Sequence, residues 1–360
     1  SRLLAMMRPG GYWEGRLSDS ALATALSVQA LRSVDEQAHG SRMSRAVEWL
    51  LCDQNPDGGW GDSPRSASNL STTLIVWAVL GAHAAREVTE RDSPQGHRGA
   101  GEPPLQPMEP PALRRESPHP QPIGPPGRAE QALKDLSTAL AEAETWLSGE
   151  LTSLAPSALR DAVLRRYGGD RTFSVPILTL AAITGRIEWC DVPQLPFELS
   201  VLPQSWFRWL RLPVVSYALP ALIAIGLARH WRCSSGIPMF RWLRRWATGP
   251  ALRRLSAIQP RNGGFLEAAP LTAFVVMNLA AADRAESPVA ERGVKFLADS
   301  QRDNGAWPID THLATWLTSL SVLSLVDDAD TPAEFVESSR ERAKEYLVSG
   351  QHTSRHPFTG

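Results

Sequence analysis

Several things are scarce in this 360-residue chain, and each scarcity removes a class of protein. There are three cysteines, Cys52, Cys190 and Cys233, an odd set without CxxC spacing. That excludes a disulfide scaffold and a cysteine-based zinc site, and the three read as reduced, cytosolic thiols. The formal net charge is -1, so the chain as a whole has no preference for polyanions. Long apolar runs are missing too. Leu212 to Ala228, 17 uncharged residues, sits at the lower limit for a bilayer span and contains Pro213 and Pro220, so a buried helix is expected there. The opening SRLLAMMRPGGYWEG has no basic segment followed by a long apolar one, so no secretory leader is expected. It starts at Ser1 rather than Met, which reads as a fragment. Finally, Leu199 to Leu266 holds no Asp or Glu.

With 43% hydrophobic residues, the chain can bury one large helical core or two ordinary ones. A repeat organises it. RAVEWLLCDQNPDGGW, LRRLSAIQPRNGGF and RGVKFLADSQRDNGAW each run an apolar helical stretch into a Gln, with an aromatic six positions later. The pairs are Gln54/Trp60, Gln259/Phe265 and Gln301/Trp307. The Asn/Asp/Gly-rich turn stops the first helix, the aromatic packs where the chain reverses, and a Gln at a helix end can bind free backbone groups. The helices that follow, such as NLSTTLIVWAVLGAHA and THLATWLTSLSVLSLV, are apolar nearly all round, as helices inside a shell of others must be. With Trp13, Trp60, Tyr167, Tyr217, Phe265 and Trp307 as markers, the steps are 42 to 50 residues except the second. Six helix pairs predict an all-α closed toroid, an (α/α)6 barrel over residues 1–350, with an open solenoid as the alternative and 351–360 as a tail. The long step contains Asp92 to Arg128, with 11 prolines and 5 glycines, too polar to offset its ordering entropy and read as a disordered surface insertion.

These repeats resemble the Gln-to-Trp motifs of squalene-hopene cyclases, oxidosqualene cyclases and related class II terpene cyclases. GYWEGRLSDSALATAL, QNPDGGWGDSPRSASNLSTTL and YGGDRTFSVPIL are similar to the N-terminal half of bacterial members. The resemblance implies an isomerase-type intramolecular transferase that protonates squalene or a related polyprene, in hopanoid or terpenoid biosynthesis, without metal or cofactor. It also implies a second barrel beyond residue 360 and monotopic attachment to the inner membrane from the cytoplasm. One departure matters: the family's acid is a DxDD motif, and none occurs here. The nearest string, Val326-Asp327-Asp328-Ala329-Asp330, has the wrong spacing and reads as a solvated loop. The acid then belongs to a missing part or to another polypeptide, and this chain alone is expected to be inactive or severely impaired.

Proton-initiated cyclisation needs a neutral carboxylic acid, a dry cavity and aromatic faces for cations. Asp310, at the start of an apolar helix in AWPIDTHLATW with His312 two residues on, is the candidate acid, against a reading as that helix's N-cap. Asp170, beside Arg171, poses the same choice. Trp77, Phe173, Tyr217, Phe274 and Trp316 are the candidate lining of a substrate pocket, against ordinary core packing.

The acid-free stretch holds ten arginines, hence a local charge of +10, and five of the thirteen tryptophans: Trp206, Trp209, Trp231, Trp242 and Trp246. Arginine with tryptophan beside apolar helices is the composition of a membrane-interface surface, so these five are expected to face lipid. Pairing with the acid-rich segment Glu334 to Glu345 is the structural alternative. No nucleic-acid module accompanies the arginines, and nucleic acid is not expected as a partner. Three functions remain open: a cyclase part acting on a polyprene, with a homodimer mate or a second cyclase barrel as partner; a noncatalytic lipid-binding barrel; and a carbohydrate-active (α/α)6 enzyme. The last needs paired carboxylates that the apolar helices do not supply. A prenyltransferase-like zinc site lacks a convincing Asp/Cys/His set.

Overall fold

The computed structural model describes residues 2–15, 17–91, 126–151, 153–168, 170–203, 206, 209, 218–326, 333–351 and 353. The helices are α1 (Arg2–Ala5), α2 (Ala21–Cys52), α3 (Leu70–Arg91), α4 (Pro126–Glu150), α5 (Pro156–Tyr167), α6 (Arg171–Ile183), α7 (Leu219–Arg232), α8 (Pro238–Ile258), α9 (Ala269–Ala281), α10 (Pro288–Ser300), α11 (Ala314–Val326) and α12 (Ala333–Ser349). Two isolated bridges, Asp19 with Pro308 and Ala268 with Asp310, are the extended pairings among the described residues. The fold is all-α. Residues 92–125 of the proline-rich insertion and the Asp327–Asp330 string lie outside the described residues, and Pro126–Arg128 already belong to α4.

Local chemistry sets where helices begin and break. The Ser20 hydroxyl accepts from the Ala23 N–H and caps α2, while Ser287 does the same for Ala290 ahead of Pro288 in α10. Asp170 caps α6 through the Thr172 N–H, the structural reading of that residue. Within α2, Asp35 adopts extended angles (φ -155°, ψ 97°) and its carboxylate caps the turn beyond at Ala38. α2 is therefore two arms, 21–34 and 36–52.

The first arm of α2, then α3, α6, α7 and α9, pack side by side, and α9 returns to α2, so the contacts close a cycle. The second arm of α2, with α4, α5, α8 and α10, packs against these five. One apolar cluster draws on all five, with Leu26, Val76, Leu178, Ile225 and Val276 among its members.

The Gln-aromatic units build this cycle with the same bonds three times. Each Gln amide donates to the carbonyl four residues on and to the next helix of the surrounding layer. Gln54 reaches Gly58 at 2.8 Å and Ala139 of α4 at 2.9 Å. Gln259 reaches Gly263 at 2.9 Å and Val289 of α10 at 3.0 Å. Gln301 reaches Gly305 at 3.0 Å and Arg42 of α2 at 2.9 Å. Each aromatic then donates its backbone N–H to a threonine hydroxyl near the start of an apolar helix: Trp60 to Thr73 of α3 and Phe265 to Thr272 of α9, both at 2.9 Å.

Trp307 breaks the chain order. Its N–H donates not to α11, which follows it, but to Thr24 of α2 at 2.9 Å, and the Ser20 N–H returns to the Trp307 carbonyl at 3.0 Å. Trp13, which precedes α2, donates instead to Thr318 of α11 at 3.0 Å. The two turns have exchanged helices across the length of the chain. Gly305 (φ +93°) and Gly11 (φ +81°) mark the parallel: a Cβ on the first would lie 2.5 Å from the Arg45 carbonyl oxygen of α2, and on the second 2.4 Å from that of Arg342 in α12. Trp13 thus heads a fourth unit, with Met7 where the others carry Gln.

The place after Trp307 is filled by α2, so among the described residues five helices close the cycle, while α11 packs mainly on α12 and on the Trp13 segment. A correction concerns the cysteines. Cys190 and Cys233 are paired in a disulfide with Cα atoms 5.5 Å apart, and Cys52 is the free thiol. Their 43-residue separation gave no local signal of the pairing.

Trp60 and Trp307 are fully buried, and each indole N–H donates to a carbonyl of the helix before it, Leu50 at 2.9 Å and Leu297 at 2.8 Å. Trp307→Ala is expected to cost about 3–5 kcal/mol. Thr24→Val, which orphans the buried Trp307 N–H, is expected to cost about 1–3 kcal/mol, with Thr24→Ser close to wild type. Urea denaturation of the three variants checks this; a Thr24→Val variant as stable as wild type would remove Thr24 from the closure.

Candidate functional site

Three places carry chemistry. The first is the face of the cycle where the turns lie. Residues 307–311 run extended across the starts of α2 and α9: Pro308 bridges to Asp19, Asp310 to Ala268, and the Ala269 N–H donates to the Ile309 carbonyl. The Asp310 carboxyl is pushed upward by burial. It does not cap α11, which begins four residues later at Ala314, because the backbone between is committed to these bridges and to the Thr311–Glu267 contacts. His312 turns to Glu14 at 3.7 Å. A second acid stands on the same face. Asp53, at the end of α2, is pushed up to about 6 by burial and by the nearby Asp19 carboxylate. Asp19 in turn pairs with Arg302 and Asn304. Nothing in the spacing around Asp53 singles it out, because its partner residues are brought together only by closure of the cycle.

The four described candidates for the lining, Trp77, Phe173, Phe274 and Trp316, are not brought together. Trp77 is buried, but its indole donates to Glu144 of α4 at 3.1 Å and the Arg186 guanidinium lies 3.8 Å above its ring, so it serves the contact between layers. Phe274 is half-buried against the main core. Phe173 is exposed and stacks on Tyr167 at 5.9 Å, at the start of α6. Trp316 is exposed on α11, the helix excluded from the cycle. Tyr217 lies outside the described residues.

The second place is the end of the first α2 arm, a polar network that the sequence reading missed. Arg32 is nearly buried; its guanidinium bonds the Val79 carbonyl and His83 Nδ1 at 2.7 Å, and lies 3.4 Å from Glu36. Arg86 closes on Glu36 at 2.6 Å. Since Nδ1 accepts from a permanent cation, the His83 proton sits on Nε2, facing Glu87 at 3.4 Å. Burial and the Arg32 charge hold His83 down to about 4, and burial lowers Arg32 itself to about 10.

The third place is the acid-free stretch. All five of its tryptophans are exposed: Trp209 by 81%, Trp242 by 68%, Trp246 by 59%, Trp206 by 55% and Trp231 by 39%. Ile237, Met239 and Phe240 are exposed beside them. A soluble surface of this size seldom exposes so many large apolar side chains together. Among the described residues no ion pair joins these arginines to the acid-rich end of the chain. The ion pairs found on α12 are internal, Arg340–Glu337 and Lys344–Glu341, while Arg244 pairs with Glu198 at 3.2 Å and Arg232 with Asp283 at 3.5 Å. Under the surface, Glu198 Oε2 and His230 Nδ1 are buried without a partner. No metal-competent cluster occurs among the described residues, and no described helix is long and apolar enough to cross a membrane.

His83 and Asp53 act in opposite directions on stability. His83 has a folded value below its ordinary 6.5, so its contribution is complete above that pH and is lost on acidification toward 4. Asp53 has a folded value above its ordinary 3.8, so its contribution is present at low pH and is lost as pH rises through about 6. Asp53→Asn removes the second slope. Its stability relative to wild type is expected to increase from pH 4 to pH 7 in urea midpoints; a difference independent of pH refutes the assignment.

Comparison with known proteins gives two matches. Residues 3–99 match the family model of the squalene-hopene cyclase C-terminal domain. An enfumafungin synthase of Hormonema carpetanum is 25% identical over 230 residues, which is 63% of this chain and 12% of that protein. The chain therefore spans a small part of the length of the curated relative it matches. The matched family model is that of the C-terminal domain, and the match covers the Trp13 and Gln54/Trp60 units. Over residues 3–99 the chain is similar to the squalene-hopene cyclase family.

Proposed function

We propose that this squalene-hopene-cyclase-like chain is one helical barrel of a triterpene cyclase that handles squalene or a related polyprene at a membrane surface. The observation that carries the reading is the acid-free face with five exposed tryptophans, in a chain whose residues 3–99 resemble a domain of squalene-hopene cyclases, named for an apolar hydrocarbon. Such a substrate is reached by resting on the lipid rather than by crossing it, and the attachment proposed is monotopic, on the cytoplasmic side of the inner membrane.

The role in cyclisation is support rather than initiation. Protonating an alkene requires a carboxylic acid held neutral, and the chain has no DxDD. Asp310 and Asp53 are both shifted toward the neutral form, but Asp310 by burial alone and Asp53 by burial with one carboxylate, Asp19, that is itself held by Arg302. The acid is assigned to another barrel. α11 supports this: it carries Trp13 as its turn aromatic and α12 as its neighbouring helix, the arrangement of one unit of a ring, with Trp316, Leu320 and Leu323 exposed on it. We assign this face to further helix pairs of a second barrel, in the same polypeptide or a partner. The noncatalytic lipid-binding reading shares every feature except that partner. A carbohydrate-active enzyme finds no support in the carboxylates, because Asp19 is tied to Arg302 and Glu267 to Thr311.

The test is incubation of detergent-dispersed squalene with the chain alone and with a DxDD-bearing cyclase barrel, followed by product analysis. Squalene is expected to raise the unfolding temperature, no cyclised product should form with the chain alone, and product should form with both. Cyclised product from the chain alone would overturn the supporting role, and loss of that product in Asp310→Asn would return the acid to Asp310. No thermal shift and no product under either condition would overturn polyprene handling.

A further inference from the structure

We infer that the face on α8 reads the charge of the membrane, docking on anionic phospholipid headgroups through Arg241, Arg245 and Arg253 while Met239, Trp242 and Trp246 enter the interface. This rests on the membrane reading above and narrows it to one kind of lipid.

α8 has two opposite faces. Ala247, Thr248, Ala251 and Leu255 are buried against the core, at the spacing of one helix stripe. On the other side Met239, Trp242 and Trp246 follow at intervals of three and four and are 66%, 68% and 59% exposed. Arg241 and Arg245, one turn apart, run alongside them, and Arg253 continues two turns on; all three are exposed. α10, which packs in the same layer, solves the same problem differently. Its outward face carries Glu291, Lys295 and Asp299, with Lys295 and Asp299 paired at 2.6 Å. A helix that needs only to meet water has that mixed-charge face, and α8 has no acid at all.

The arginines divide by their partners. Arg244 is mostly buried and held by Glu198, fixing α8 to the short helix Phe197–Val201. Arg229 donates to the carbonyls of Val192, Cys190 and Cys233, which ties the base of α7 to the disulfide. Arg232 is taken by Ala281 and Asp283. The guanidinium groups of Arg241, Arg245 and Arg253 have no hydrogen-bond or carboxylate partner among the described residues, which leaves them for an external anion. Trp231 belongs to the rim, because the Arg284 guanidinium covers its ring at 5.4 Å.

The occupant follows from having both chemistries on one stripe. A second copy of the chain would bring arginine against arginine. A nucleic-acid phosphate backbone would satisfy the cations and leave Met239 and the indoles wet. A bilayer surface receives indoles at headgroup depth and arginines on lipid phosphates together, and only anionic lipid leaves net negative charge for the arginines.

The test is sedimentation of the whole chain with vesicles of phosphatidylcholine alone and of phosphatidylcholine mixed with phosphatidylglycerol, over a range of salt. Wild type is expected to partition more strongly onto the mixed vesicles, with the excess lost at high salt. The triple variant Arg241→Gln/Arg245→Gln/Arg253→Gln should lose that excess, by roughly 10- to 100-fold, and still bind phosphatidylcholine weakly. Trp242→Ala/Trp246→Ala should lose binding to both, Arg232→Gln should behave as wild type, and circular dichroism checks that each variant is folded. Equal partition of wild type on the two vesicles overturns this inference and leaves membrane attachment standing. Failure to bind either vesicle overturns both, and retention on heparin without vesicle binding reassigns the face to a polyanionic macromolecule.

Discussion

The fold depends on one side-chain amide used twice. In three of the four units the Gln NH2 carries two hydrogens, one closing its own turn on a carbonyl four residues ahead, the other reaching a helix from elsewhere in the chain. The second bond is what makes a local turn into a joint between units. A single turn with this chemistry cannot bury its apolar helix, but a cycle of them can, and the helices it encloses are free to be apolar on every side. Glycine at the turn lets the neighbouring backbone approach within the space a side chain would occupy, which shortens the joint and leaves it rigid.

The exchange at Trp307 and Trp13 follows from the same rule. A turn aromatic with its N–H in the core must find an acceptor, and a threonine hydroxyl near the start of an apolar helix supplies it in all four units. The rule does not say which helix supplies the threonine. By giving Trp307 the threonine of α2, the structure joins the end of the cycle to its beginning. α11 is left with Trp13 and α12, with the bonds of the repeat and without the enclosing neighbours. Its apolar surface is the surface of an inner helix, exposed because the cycle is already closed.

What the sequence disclosed was what is local. Gln and aromatic six residues apart, glycine before the aromatic and apolar helices after it are set by one turn's geometry and can be read along a line of text. The partners of those turns cannot, because Trp13 and Thr318 are 305 residues apart and an acceptor threonine looks like any other. The same limit hid the Cys190–Cys233 pair and the acid at Asp53, whose shifted state arises from burial and from Asp19 across the closure. Asp310 misled in a different way. A carboxylate before an apolar run reads as a cap, but Pro308 to Thr311 had been drawn into extended contact with two other segments, and the helix starts only after that contact ends. The aromatics at Trp77 and Trp316 occupy apolar helices as expected, yet one faces the next layer and the other belongs to the helix outside the cycle.

The distribution of charge separates two jobs. Where cations are structural they are paired and dry: Arg32 among Glu36, His83 and the Val79 carbonyl, and Arg244 on Glu198. Removing a partner from either would leave a buried charge, a loss of several kcal/mol by the usual magnitudes. On the outward side of α8 the arginines are neither paired nor dry, and the residues between them are those a soluble surface excludes. Folding alone gives no reason to keep them, since Met239, Trp242 and Trp246 contribute nothing to the core in their exposed positions. Their grouping on one stripe, above a buried ion pair that fixes the helix in place, is accounted for by something that covers them. The acid-free composition of the whole stretch then sets the sign of what that something carries.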